Sequence, residues 1–97
     1  VKVVLLPEAR VELREATEWY ASRSTDVARR FVAAYQHTKG LIAEAPERWA
    51  EVEPGVRRVL FEKFPYALLY VVEERQVVVL VVKHHKRHPD DWKSRGR

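Results

Sequence analysis

The chain opens on Val1 to Leu6, a run of mostly β-branched and aliphatic residues stopped by Pro7, and this predicts a first strand. From Glu8 the period changes. Ala9, Leu13, Ala16 and Tyr20 recur at intervals of four and three with Glu8, Glu12, Glu15 and Glu18 between them, which predicts an amphipathic helix with Pro7 in its first turn. Ser22 to Thr25 interrupts that pattern, and Ser24 or Thr25 can cap a second helix with Asp26 in its first turn. Its inward stripe is read as Val27, Phe31, Ala34, Thr38, Leu41 and Ala45; Gly40 is a candidate weak point, and Pro46 is the stop. Residues 46 to 55 read as an acidic loop. Three strand candidates follow, Val56 to Phe61, Phe64 to Val72 and Gln76 to His84, the last two joined by a polar turn into an antiparallel hairpin.

The hairpin is apolar on both faces. If Glu74 and Arg75 form a two-residue turn, Val72 opposes Val77, and period two assigns the faces. One face carries Ala67, Leu69, Val71, Val78, Leu80, Val82 and His84; the other carries Phe64, Tyr66, Leu68, Tyr70, Val79, Val81, Lys83 and His85. Two helices cover one face of a sheet, and the purely aliphatic face is expected to be that core. The face with the tyrosines is then either a surface that a partner covers or one shielded by the chain's own loops and Trp92. The expected fold is α+β, an N-terminal strand followed by a helical hairpin packed on one face of a small antiparallel sheet, with residues 1–97 as a single domain.

Composition narrows the chemistry. With 46% hydrophobic and 33% charged residues the 97-residue chain has the make-up of one folded globule with one core. It has no cysteine, which removes thiol nucleophiles, disulfides and Cys-based zinc sites and suits a reducing cytoplasm. The longest apolar runs, such as Val77 to Val82, are too short to span a bilayer, and no signal-peptide pattern opens the sequence. Residues 1 to 82 balance 12 Lys/Arg against 12 Asp/Glu, so the net charge of +4 comes from residues 83 to 97, where six basic residues face two acidic ones. Such a tract favours phosphate-bearing partners or an acidic protein segment.

Glycine occurs only at positions 40, 55 and 96, so neither a GxSxG elbow nor a Gly-rich phosphate loop is present. What remains is His, Tyr, Arg, Lys and carboxylates, a set able to cleave RNA without metal: a base takes the 2′-hydroxyl proton, an acid protonates the leaving 5′-oxygen, and fixed cations hold the phosphorane. His84, His85 and His88 beside Lys86 and Arg87 could supply these groups, or could be a polar strand end meeting water. Adjacent strand residues point to opposite faces, so His84 and His85 should not share one role, and a zinc site on HHxxH is not expected. For the same reason only one of Arg57 and Arg58 can face the open side; the other is free to pair with Glu47, Glu51 or Glu53. Trp92 is a packing residue or a platform for a base.

The order strand, two helices, meander, with Arg57 Arg58, Phe64 Pro65 Tyr66, Tyr70 and a terminal His84 xx Arg87 x Pro89 xx Trp92 xx Arg95, resembles the RelE/ParE toxins of type II toxin–antitoxin (plasmid stabilisation) systems over essentially the whole chain. The resemblance implies a toxin held inactive by a cognate antitoxin that covers its functional face, with Tyr66 and Tyr70 as antitoxin contacts. RelE-like members cleave mRNA in the ribosomal A site; ParE-like members poison DNA gyrase without a nuclease set. For cleavage the resemblance implies Arg58, His84 and Arg87 as catalytic groups, with Lys83, His85, Lys86, Trp92 and Arg95 binding RNA, and neither metal nor cofactor. The chain lacks both the terminal His and Tyr pair of some mRNA-cleaving members and the His followed by Met and Asp of gyrase-directed ones. Ribosome-dependent mRNA cleavage is the leading expectation; gyrase inhibition, or nucleic-acid binding without catalysis, are the alternatives.

Overall fold

In the computed structural model, which describes residues 1–86 and 90–95, the elements run β1 (Lys2–Leu5), α1 (Pro7–Ala21), α2 (Thr25–Glu44), β2 (Glu51–Glu53), β3 (Val56–Leu60), β4 (Tyr66–Val72), β5 (Gln76–His84) and a 3-10 helix (Asp90–Ser94). Pro7 sits in the first turn of α1, where its missing N–H costs nothing. Ser24 caps α2, its Oγ accepting the Val27 N–H at 3.2 Å. Gly40 does not interrupt α2, and buried Thr38 spends its hydroxyl on the Ala34 carbonyl at 2.7 Å. The inward stripe is Ala28, Phe31, Tyr35, Thr38 and Ile42, with Val27, Ala34 and Leu41 on its flank.

Among the described residues the sheet has five strands in the order β1-β5-β4-β3-β2, β1 parallel to β5 and the rest antiparallel. The expected acidic loop therefore contains a strand. Three residues with two glutamates carry little strand signal, and β2 exists because β3 offers it a free edge, Glu51 standing opposite Arg57. Val72 opposes Val77 as the hairpin pattern predicted. Further along, Leu69 pairs with Val81 and Tyr70 with Val79, so Leu80 is an extra residue on β5. A bulge of this kind bends its strand and resets the alternation beyond it.

That bulge and the packing of the tyrosines reverse the expected faces. The core under the helices is built on Tyr66, Leu68, Tyr70, Val77, Val79 and Val82, packed against Ala9, Ala16, Phe31, Tyr35 and Ile42. The aliphatic set Ala67, Leu69, Val78, Leu80 and Val81 lies on the other side, under Trp92. Rings fill the layer between helices and sheet: Phe31 lies 5.1 Å from Tyr66 and 5.5 Å from Phe61, and Tyr20 lies 5.0 Å from Phe31. A tyrosine can go to the core when its hydroxyl finds an acceptor, and Tyr70 Oη donates to the Pro46 carbonyl at 2.6 Å. Burial pushes the Tyr70 pKa up, with the nearby Arg57 charge pulling the other way. Tyr66 and Tyr70 are 8% and 0% exposed, so neither offers a surface to an antitoxin.

A groove on the open face of the sheet

The side of the sheet turned away from the helices is crossed by the C-terminal 3-10 helix, which is held by Trp92, Lys93 and Arg95. Trp92, 4% exposed, lies against Ala67, Leu69, Val78, Leu80 and Val81. Lys93 pairs with Glu53 of β2 at 2.9 Å. Arg95 makes a two-pronged contact with Glu12 of α1, at 2.8 and 3.0 Å, and donates to the Leu80 carbonyl at 2.9 Å. Glu12 Oε1 in turn accepts the Val82 N–H at 3.0 Å. The reason is topological: β1 ends at Leu5, opposite Val79, so β5 runs on with an unpaired edge. Two side chains take the place of the missing strand, a carboxylate for the N–H and a guanidinium for the C=O. Among the described residues the buried Trp92 Nε1–H has no hydrogen-bond partner.

Beside this strap lies a groove of about 410 Å³ lined by Val52, Glu53, Arg58, Leu60, Ala67, Leu69, Lys83, His85, Trp92 and Lys93. Sheet register explains which cations meet there. Arg58 stands opposite Leu69, and Leu60 opposite Ala67, which itself faces Lys83. Arg58 and Lys83 thus occupy neighbouring cross-strand rows, and His85, two residues past Lys83, follows it to the same side. Leu60 is 51% exposed and Val52 40%, so the groove has an apolar rim as well as positive charge.

The expected site residues divide sharply. Arg58, Lys83 and His85 come together. Arg57 goes the other way, donating to the Trp49 carbonyl at 2.6 Å and the Glu47 carbonyl at 3.2 Å and pairing with Glu51 at 3.5 Å, the salt-bridge role open to one of the two arginines. His84 lies on the helix side, edge-on to Tyr66 with ring centroids 5.1 Å apart, while its Nδ1 accepts the Lys86 N–H at 3.1 Å. His84 and Arg58 therefore sit on opposite faces, and the structure does not assemble them into one catalytic set. Trp92 is interior and offers no platform to a base, and Arg95 is committed to Glu12 and Leu80 instead of RNA. Lys86 is exposed at the strand end. Arg87, with His88 and Pro89, lies outside the described residues. Among the described residues no group of His, Asp and Glu is placed to hold a metal, and no helix is long and apolar enough to cross a membrane.

Sequence reasoning passed over Leu60, which strand periodicity assigns to the same side as Arg58, and Val52, which lines the groove beside Glu53 across the register shift between Glu51 and Glu53. It also passed over Glu12, whose signal was its position three residues beyond Ala9 on the inward stripe of α1.

The model of the ParE toxin of type II toxin–antitoxin systems, parDE, matches residues 3–89. The chain belongs to this ParE toxin family. A solved structure described as the chromosomal ParDE toxin–antitoxin system from P. aeruginosa superposes with a TM-score of 0.75 over 87% of this chain and 95% of that one, at 16% identity. At that identity the likeness speaks for the fold, and the shared fold is the helical hairpin on an open sheet described above. No curated protein sequence matches the chain. A ParE-family toxin of a type II system has a cognate antitoxin as its partner.

Proposed function

We propose that this ParE-family toxin acts by binding its target, DNA gyrase, and not by cutting RNA. The placement of His84 carries the reading. General acid–base cleavage needs a proton donor, a proton acceptor and phosphate-binding cations around one phosphodiester. Here the histidine that matches the family pattern is turned toward Tyr66, away from Arg58. What the open face offers is positive charge from Arg58 and Lys83, with the His85 imidazole, beside exposed Leu60 and Val52, a mixed surface of the kind that protein partners bury.

A second reading keeps the same groove and gives it mRNA on the ribosome. The convergence of Arg58, Lys83 and His85 favours it, since a guanidinium, an ammonium and an imidazole can hold and protonate a phosphodiester. One paired experiment separates the two. Purified toxin is added to a gyrase supercoiling reaction and, in parallel, to a translation reaction read by primer extension. Loss of supercoiling with accumulation of cleaved DNA complexes and intact mRNA supports gyrase; codon-positioned mRNA cuts with unaffected gyrase support the second reading and defeat the first.

A further inference from the structure

Where α1, α2 and β1 meet lies a cleft of about 670 Å³, lined by Lys2 of β1, Arg10 and Arg14 of α1 and Lys39 of α2, with Glu18 as its one carboxylate. Arg10 and Arg14 are four residues apart, so they stand on one side of α1 with their Cβ atoms about 6 Å from each other. The Arg10 charge pulls the Tyr35 pKa down against the effect of burial, which sets its guanidinium on the α2 side of its own helix. Glu8 and Glu15, the other exposed carboxylates of α1, do not line the cleft. Among the described residues none of the four cations forms an ion pair.

The character of the lining separates this cleft from the groove on the open face. Every exposed residue that lines it is charged: Lys2, Arg10, Arg14 and Glu18. Its apolar members, Val3, Val4, Leu5, Leu13 and Tyr35, are buried or half-buried and committed to the two cores. The open-face groove instead has Leu60 and Val52 exposed at its rim. Protein partners dock on exposed apolar anchors, whereas a phosphate backbone is held by cations alone. Thr17, the neutral polar side chain of the lining, spends its hydroxyl on the Leu13 carbonyl at 2.8 Å, which leaves no amide or unengaged hydroxyl to read a base edge.

We infer that this cleft holds the sugar–phosphate backbone of duplex DNA, the DNA that gyrase carries, so that the toxin touches protein with one face and DNA with the other. The inference rests on the gyrase reading for the source of the DNA and adds a second contact to it. The groove is lined from the β2 and β3 end of the sheet, the cleft from the β1 end and the two helices, so a target seated on one leaves the other accessible. Each guanidinium can take two oxygens of one phosphate, while Lys2 and Lys39 act as point charges. A backbone held in this way is bound without regard to sequence. Four such contacts make the binding steeply salt-dependent, with a slope of log K against log salt of about −3.6.

The test follows the fluorescence anisotropy of labelled short DNA duplexes over a salt series, with the wild-type toxin, Arg10→Gln/Arg14→Gln and Glu18→Gln, all exposed positions on α1. The wild type is expected to bind duplexes of different sequence within about threefold of one another. The double variant should bind about tenfold or more weakly at low salt, with a slope smaller by about 2 and an unchanged thermal melt. Glu18→Gln should bind about two- to threefold more tightly, a gain that damage to the fold does not produce. Equal affinities and slopes for the wild type and the double variant overturn the inference, and so does preferential binding of an RNA hairpin or of polyglutamate over the duplex. The same proteins are then compared for capture of gyrase without DNA and for cleaved complexes with DNA. The double variant should capture gyrase as the wild type does, yet need about tenfold more protein for the same level of cleaved complexes. Gyrase poisoning by a toxin that does not bind duplex DNA overturns the DNA site and leaves the gyrase reading standing. Duplex binding lost in the double variant, with no effect of the wild type on gyrase, removes the gyrase reading and leaves the DNA site.

Discussion

Removing the Arg95 side chain tests whether the C-terminal strap is held by chemistry or merely rests on the sheet. Arg95 makes charge-assisted hydrogen bonds to both oxygens of the Glu12 carboxylate and to the Leu80 carbonyl. Bonds to charged groups contribute about 1.5–3 kcal/mol each, and truncating one partner of a fully buried pair costs about 3–5 kcal/mol. Here the side chains are 15% and 14% exposed, so water recovers part of that loss. Arg95→Ala is therefore expected to cost about 2–3 kcal/mol, a fall in melting temperature on the order of 10–20 °C for a domain of this size. Glu12→Ala should cost a similar amount, because it also strips the Val82 N–H of its acceptor. Urea denaturation of both single variants and the double variant gives the coupling. If the pair acts as a clamp, the double variant loses about 1–2 kcal/mol less than the sum. Additivity within about 0.5 kcal/mol would refute the clamp.

Gly40 lies inside α2 with open space where a Cβ would stand, so Gly40→Ala should stabilise by about 1 kcal/mol, seen as a shifted urea midpoint at constant slope. Trp92→Ala removes the cover of the open-face core and should cost about 3–5 kcal/mol, whereas Trp92→Phe, which also deletes the unpartnered indole N–H, should cost far less by the same measurement. Tyr35 and Tyr70 both have raised pKa values in the folded chain because burial disfavours the phenolate. Their contribution is whole below about pH 10 and is lost as pH rises toward the folded values, since the unfolded chain releases those protons first. Alkaline denaturation should consequently be shallower in Tyr35→Phe/Tyr70→Phe.

The elements were largely legible in the sequence because their periods are strong. The first helix and the span of β5 follow from apolar spacing, the α2 cap from the polar pair Ser24 and Thr25, of which Ser24 does the capping, and the Val72–Val77 register from a two-residue turn at Glu74 and Arg75. What was not legible is tertiary. The extra residue at Leu80 carries no distinct signal in a run of valines, yet it moves Lys83 and His85 to the open face beside Arg58. The face with the tyrosines was read as one that a partner covers or the chain's own loops shield, because the opposite face is purely aliphatic; it goes to the core because the Tyr70 hydroxyl finds a carbonyl 24 residues away, which no local pattern reveals. β2 is a strand by courtesy of its neighbour. Among the described residues the charges of the basic C-terminal tract have separate duties: Arg95 holds the strap, Lys93 pairs with Glu53, and Lys83 lines the groove.

The most direct test of the functional account compares Arg58→Glu with His84→Ala in a gyrase assay that scores cleaved DNA complexes, with both variants first shown to be folded. The account predicts that Arg58→Glu loses gyrase poisoning by about tenfold or more, while His84→Ala retains it within about twofold. Retention by Arg58→Glu together with loss in His84→Ala would contradict the account and place the functional surface on the helix side of the sheet.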